Sequence, residues 1–306
     1  MRATIFSVAV AGAMALAATA DAQAQDRTRA FVDQIALQSD ERPMARWDGR
    51  ICVGAVGLAA TEAQLLVDRI SARAQSVGLR PGEPGCRANV MVIYAPDSDA
   101  LTRQIVDQRR DLLGYYSDGS QVTAGRDQLT AFAETPRPIR WWQVSDAGAG
   151  VITDRPGAAM DRQSSGRGLA AAGAGDSGAA GGTESSTDIQ GMDAVRANGS
   201  RMRTEERNDL SYALVVVDAR RVASVQPSAW MDYVALVSLA QIDPEANPSE
   251  YDSILNLFTA QNSSQSGLSA WDEAYLSALY RARSNVSANR QASDIARRMS
   301  DSVGGS

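Results

Sequence analysis

Between Arg50 and Ala95 the chain reads as strand, helix and strand, with one cysteine at the foot of each strand. "RICVGAV" (Arg50–Val56) is a short apolar strand. "TEAQ" (Thr61–Gln64) has the form of a capping box, in which a hydroxyl and an amide side chain satisfy each other's backbone N–H groups. Leu66, Ile70 and Val77 then follow one helical face until Gly78 ends it. After the turn-rich "RPGEPG" (Arg80–Gly85) comes "ANVMVIYA" (Ala88–Ala95), too apolar for a strand with one wet face. Two strands joined through a helix run parallel, with a right-handed crossover. Parallel neighbours bring their starting ends together, so Cys52 and Cys86 fall close enough to bridge. In an oxidising compartment such a pair is expected as a disulfide, closing a loop of about 34 residues for roughly 3–4 kcal/mol.

The rest of the chain adds further helices and two more strands. "PDSDALTRQIVDQRRDLLG" (Pro96–Gly114) and Gln128–Glu134 read as helices, and "RPIRWWQVS" (Arg137–Ser145) as a strand. "LSYALVVVDA" (Leu210–Ala219) is a further strand, followed by an apolar helix over Ser228–Ile242 and a helix opened by the capping sequence Ser269-Ala-Trp-Asp272. The predicted fold is α+β: a mixed, partly parallel sheet of about four or five strands with several helices. Residues 25–156 form its N-terminal part and 206–283 its C-terminal part. Between them, 157–205 is Gly, Ala and Ser with almost no large apolar residue, and is predicted to be a disordered insertion. Residues 284–306 are predicted to be a frayed polar tail.

Residues 1–24 are predicted to be a secretory signal peptide. Arg2 precedes an apolar stretch, Ile5–Ala18, and two small-x-small cleavage sites follow at Ala20–Ala22 and Ala22–Ala24. The expected location is periplasmic or secreted, without stable membrane insertion after cleavage. A net charge of −6 argues against nucleic acid as a partner.

Two absences narrow the chemistry. The chain has no His, and all 30 of its Lys-plus-Arg cations are Arg. This removes Ser-His and Cys-His nucleophiles, His-ligated zinc, Ser-Lys dyads, lysine Schiff bases and the P-loop. With the cysteines bridged, catalysis would fall to carboxylates, tyrosines and the backbone amine. No cofactor is expected. The acidic run Asp243, Glu245, Glu250, Asp252 lacks the ligand alternation of a calcium loop and reads as a solvated loop. Adjacent Trp141 and Trp142 must face opposite sides of a sheet. One belongs to the core, and the other is either covered by another element or forms a binding surface beside Arg140.

The C-terminal part carries one larger pattern. In "WMDYVALVSLAQIDP" (Trp230–Pro244), Met231, Asp232, Ala235, Ser238 and Gln241 stand at the spacing of the first His, the Glu, the second His, the Gly and the third His of H-E-x-x-H-x-x-G-x-x-H. "SILNLF" (Ser253–Phe258) resembles the Met-turn, with Leu255 for Met. "LSAWDEAYLSALYRA" (Leu268–Ala282) resembles the closing helix, with Ala278-Leu279-Tyr280. Leu210–Ala282, about a quarter of the chain, thus resembles a degenerate zincin of the metzincin type. It is also similar to exported bacterial proteins with that layout and no assigned function. The resemblance implies a zincin-like C-terminal part without zinc ligands, since Met, Ala and Gln cannot replace three imidazoles.

Three readings stay open for this helix: a metal-free zincin relic, an ordinary core helix, or an active site of another kind. The first implies an exported, non-enzymatic protein with a binding or structural role in the envelope. Its cleft, lined by Leu210–Ala219 and the central helix, would hold an extended peptide or envelope protein by strand addition. The alternative is a carboxylate-dependent hydrolase, for example of glycans, using Asp232 and a second acid.

Overall fold

A computed structural model of the protein describes residues 22–37, 42–114, 125–147, 208–259 and 265–303. The predicted insertion lies outside them, as does the leader up to residue 21. Residues 22–24, assigned to the leader, lie in the first turn of a helix.

Among the described residues, seven helices and four strands follow in chain order: α1 (22–35), β1 (Val53–Val56), α2 (Ala60–Ser76), β2 (Val90–Ala95), α3 (Ser98–Gln108), α4 (Arg126–Glu134), β3 (Ile139–Ala147), β4 (Asn208–Asp218), α5 (Pro227–Leu239), α6 (Ala270–Arg281) and α7 (Ala288–Val303). The sheet order is β1-β2-β4-β3. β1, β2 and β4 are mutually parallel, and β3 runs antiparallel along β4. The architecture is therefore α+β with a mixed, partly parallel sheet. Because β4 enters between β2 and β3, the N- and C-terminal parts of the chain share one sheet.

The strand periodicity of two sorts side chains onto two cores. Val90, Val92, Ile139, Trp141, Ala213, Val215 and Val217 face a layer that includes α2 and α5. Trp142, Val144, Tyr212, Leu214 and Val216 face α3 and α4. The near-continuous apolar runs of β2 and β4 follow from their interior positions, covered on both faces.

Cys52 and Cys86 are bridged, with Cα atoms 6.0 Å apart. Gly82 packs so closely on the bridge that a Cβ there would lie 2.4 Å from Cys86 Sγ. No helix among the described residues is long and apolar enough to cross a membrane.

Several local expectations need correcting. Thr61 is not a cap: α2 begins a residue earlier, after Ala59, and Gln64 donates to Asp68 instead of the backbone. The Ser269–Asp272 capping box does form. α5 ends at Leu239, before Ile242, because Ala240 turns to extended backbone. The predicted polar tail is largely the helix α7, whose Ala292, Ile295, Ala296 and Met299 make a narrow apolar stripe. That stripe packs in the same core as α6 and α1, and the abundance of Arg and Ser around it hid the period. α1 is held at the other side by Phe31, whose ring meets those of Tyr251, Trp271 and Tyr275. Arg27 lies over the rings of Tyr251 and Trp271.

Candidate functional site

The helix that carries the degenerate motif is the central element of the larger core. Every α5 residue from Ala229 to Leu239 is buried. Its sequence is apolar on all sides, which suits only a helix surrounded by protein. Pro227 at its first turn lacks an N–H that would in any case have no helical partner.

A helix end leaves its last carbonyls without partners. Here three elements supply donors from side chains. Gln143 Nε2 donates to the carbonyls of Val237 at 2.7 Å and Ala240 at 2.8 Å. Trp47 Nε1 donates to Ser238 O at 2.8 Å, and the Tyr280 hydroxyl to Leu239 O at 2.6 Å. The Tyr of Ala278-Leu279-Tyr280 thus closes the end of α5. Burial pushes the Tyr280 hydroxyl well above its ordinary pKa, so it remains a donor throughout the neutral range.

Asp232 is the one charge on this helix, and it is 1% exposed. Both of its carboxylate oxygens are engaged, Oδ1 by Arg73 Nε at 3.4 Å. Arg69 Nη1 lies 2.9 Å and Arg73 Nη2 3.0 Å from Oδ2, and the Leu268 backbone N–H donates to the same oxygen at 3.1 Å. Arg73 also pairs with Glu273 at 2.6 Å. The clasp joins α2, α5 and the start of α6. Gly267 permits it, because a Cβ at that position would stand 2.7 Å from Asp232 Oδ2.

This is not the setting of a general base, which needs a free oxygen and a route to substrate. The remaining motif positions do not make a metal site. Met231, Ala235 and Ser238 are buried, and Gln241 Oε1 accepts from the Ala45 N–H at 2.9 Å. A thioether, a methyl group and an engaged amide do not fit zinc. Among the described residues, no group of three or more His, Cys, Asp or Glu is placed to share a metal ion.

The predicted cleft between β4 and α5 is also corrected. β4 is paired on both sides, so it cannot accept another strand. The sheet has two edge strands, β1 and β3, and β3 pairs only with β4 among the described residues. The register fixes which of its peptide groups point outward. Pro138 O accepts from Asp218 N, so Arg140, Trp142 and Val144 exchange bonds with β4. The N–H and C=O groups of Ile139, Trp141 and Gln143 turn to the other side.

On that side lies a cavity of about 690 Å³. β3 contributes its floor through Arg140–Gln143. α4 supplies one wall with Asp127, Gln128, Ala131 and Phe132, and Gln241–Glu245 supplies the opposite wall. Arg42, Pro43, Ser145 and Asn208 also line it. Gln241 is the one degenerate motif position that reaches this cavity.

Trp141 and Trp142 line the cavity yet expose only 5% and 4% of their surfaces, so of the two alternatives the covered one describes them. Each ring is anchored on its own side of the sheet: Trp141 Nε1 donates to Ile242 O at 3.1 Å and Trp142 Nε1 to Leu113 O at 2.9 Å. Trp141 thus ties the Gln241–Glu245 wall to β3, and Trp142 packs against Phe132 of the α4 wall.

The charges around the cavity are unevenly engaged. Arg137 pairs with Glu245 and donates to Pro244 O. Buried Arg140 pairs with Asp99 and donates to Thr135 O and Ser98 Oγ. Arg42 is not free either. Asp243 Oδ1 accepts the Glu245 N–H at 2.9 Å, so part of the acidic run is structured as a turn. Among the described residues neither Asp243 nor Asp127 forms an ion pair. Asn208 Nδ2 donates to Pro43 O at 2.9 Å, but its Oδ1 is buried without a hydrogen-bond partner. Such an acceptor costs about 1–3 kcal/mol when left unmet.

Sequence reasoning missed α4 as a wall, along with Arg42, Arg137 and Asn208. No local signal marks them, because they meet only through the insertion of β4 between β2 and β3.

No protein-family model matches this chain, and neither a curated protein nor a solved structure does.

Proposed function

We propose that this is an exported, non-enzymatic protein of the periplasm or exterior that binds an extended peptide segment along the outer edge of β3. Its C-terminal part has the layout of a zincin without the ligands. The observation that carries this reading is the cavity of about 690 Å³ beside an edge strand. Outward peptide groups of an edge strand pair with an added strand, and pockets on either side receive alternate side chains. The walls from α4 and from Gln241–Glu245 offer both surfaces. The disulfide is in keeping with an oxidising compartment.

The test is binding of the purified protein to an array of immobilised nonapeptides of varied sequence. Extended, β-prone peptides are expected to be retained, and proline-interrupted versions to be lost. Equal retention of both sets contradicts strand addition. Elemental analysis provides a second check: no stoichiometric zinc is expected, and one zinc per chain overturns the non-enzymatic reading.

A further inference from the structure

We infer that the β3 groove selects cationic peptides, with Asp127 and Asp243 receiving lysine or arginine side chains from opposite walls. This rests on the peptide-binding reading above and adds the chemistry of the ligand to it.

The argument starts from which charges are already used. Of the arginines that line the groove, Arg137 is held by Glu245 and Pro244 O, Arg140 by Asp99, and Arg42 is engaged too. Glu245 is consumed by Arg137. What remains without an ion pair is one carboxylate on each wall, Asp127 on α4 and Asp243 opposite. The groove therefore presents uncompensated negative charge on both sides of its floor.

A second observation points to a donor-bearing ligand independently of those carboxylates. Asn208 lines the same groove and is 7% exposed, and its Oδ1 has no hydrogen-bond partner. An N–H group, from a ligand backbone or a cationic side chain, meets that need. An anionic side chain supplies neither the donor nor the charge. β-strand geometry adds a spacing rule. Successive side chains of an extended peptide alternate between the walls, so two cationic residues reach both carboxylates only at an odd separation.

The experiment uses four fluorescein-labelled nonapeptides in a serine–threonine background: three carry two lysines, two serines or two glutamates three residues apart, and a fourth carries two lysines two residues apart. Binding to the full chain is followed by fluorescence anisotropy. Wild-type protein is expected to bind the lysine peptide more tightly than the glutamate peptide, by about fivefold for each carboxylate engaged. Added salt reduces the difference. D127N and D243N each remove part of the preference, and the double variant removes it. The peptide with lysines three apart binds more tightly than the fourth, whose lysines face one wall.

Equal affinity for lysine and glutamate peptides overturns the charge inference and leaves the peptide groove standing. So does a preference that survives in the double variant. Failure of all the peptides to bind overturns the groove reading itself, and this inference with it.

Discussion

Two carboxylates on helices of this protein have opposite surroundings. Asp232, on α5, is fully buried and takes two guanidiniums and a backbone N–H on one oxygen. Asp127, in the first turn of α4, is exposed at a groove and pairs with no cation among the described residues. The motif in the sequence points to the first, and the open surface belongs to the second. A charge enclosed by three elements works as a joint of the fold. A charge left unpaired beside an edge strand is available to a partner.

This contrast predicts a graded series of effects. Truncating one partner of a buried pair costs about 3–5 kcal/mol. The arginines of the clasp keep 30% and 27% of their side-chain surface exposed, which lets water take over part of the lost interaction. D232A should therefore lower stability by about 3 kcal/mol, measured by urea unfolding. A loss below about 1 kcal/mol would mean that the clasp is not a joint.

G267A is next, because its Cβ would meet Asp232 Oδ2 at 2.7 Å. Overpacking of this kind costs about 1–3 kcal/mol. In a D232A background the penalty should shrink, which a double-mutant cycle would read. Y280F removes the donor to Leu239 O and should cost about 1 kcal/mol in the same assay. D127N and D243N should stay within about 0.5 kcal/mol of wild type. If they destabilise as strongly as D232A, the two regions are not different in kind.

Acid probes the joints from another direction. The Arg221 side-chain hydrogen bond, with the Arg140 pair, holds the Asp99 carboxyl well below the carboxylate range. Burial pushes Asp218 up, but the Arg221 backbone N–H, the Ser98 hydroxyl and the Arg221 charge outweigh it, so its pKa also lies below the ordinary value. Groups with depressed folded pKa values stabilise fully above the unfolded value of about 4 and lose that contribution as pH falls below it. Stability should thus fall below about pH 4, and R221Q should flatten that dependence in unfolding curves taken across the range.

Much of the fold was legible in the sequence because its signals are local or paired. The cysteines at the feet of two strands gave the parallel pairing and the bridge, and the apolar runs of β2 and β4 gave interior strands. The Ser269 cap was readable for the same reason, since its partner lies three residues away. The α7 stripe was missed because four apolar residues stood among Arg and Ser. The candidate site was hardest to read. That β3 is an edge, and that α4 and Gln241–Glu245 flank it, depends on β4 entering the sheet between β2 and β3 after a long separation along the chain. The paired tryptophans were readable as opposite-facing, but not as two anchors whose indoles reach Ile242 and Leu113.

The central claim is that a peptide adds to the outer edge of β3, and the Trp141 amide reports on it most directly. It points away from β4, whereas the neighbouring Val215 lies between β2 and β3 inside the sheet. Amide hydrogen exchange followed by NMR, with and without the nonapeptide that carries two lysines three residues apart, compares the two. The account predicts that exchange at Trp141 slows when the peptide binds, while Val215 is unchanged. A peptide that binds and leaves the Trp141 amide exchanging as before would contradict it.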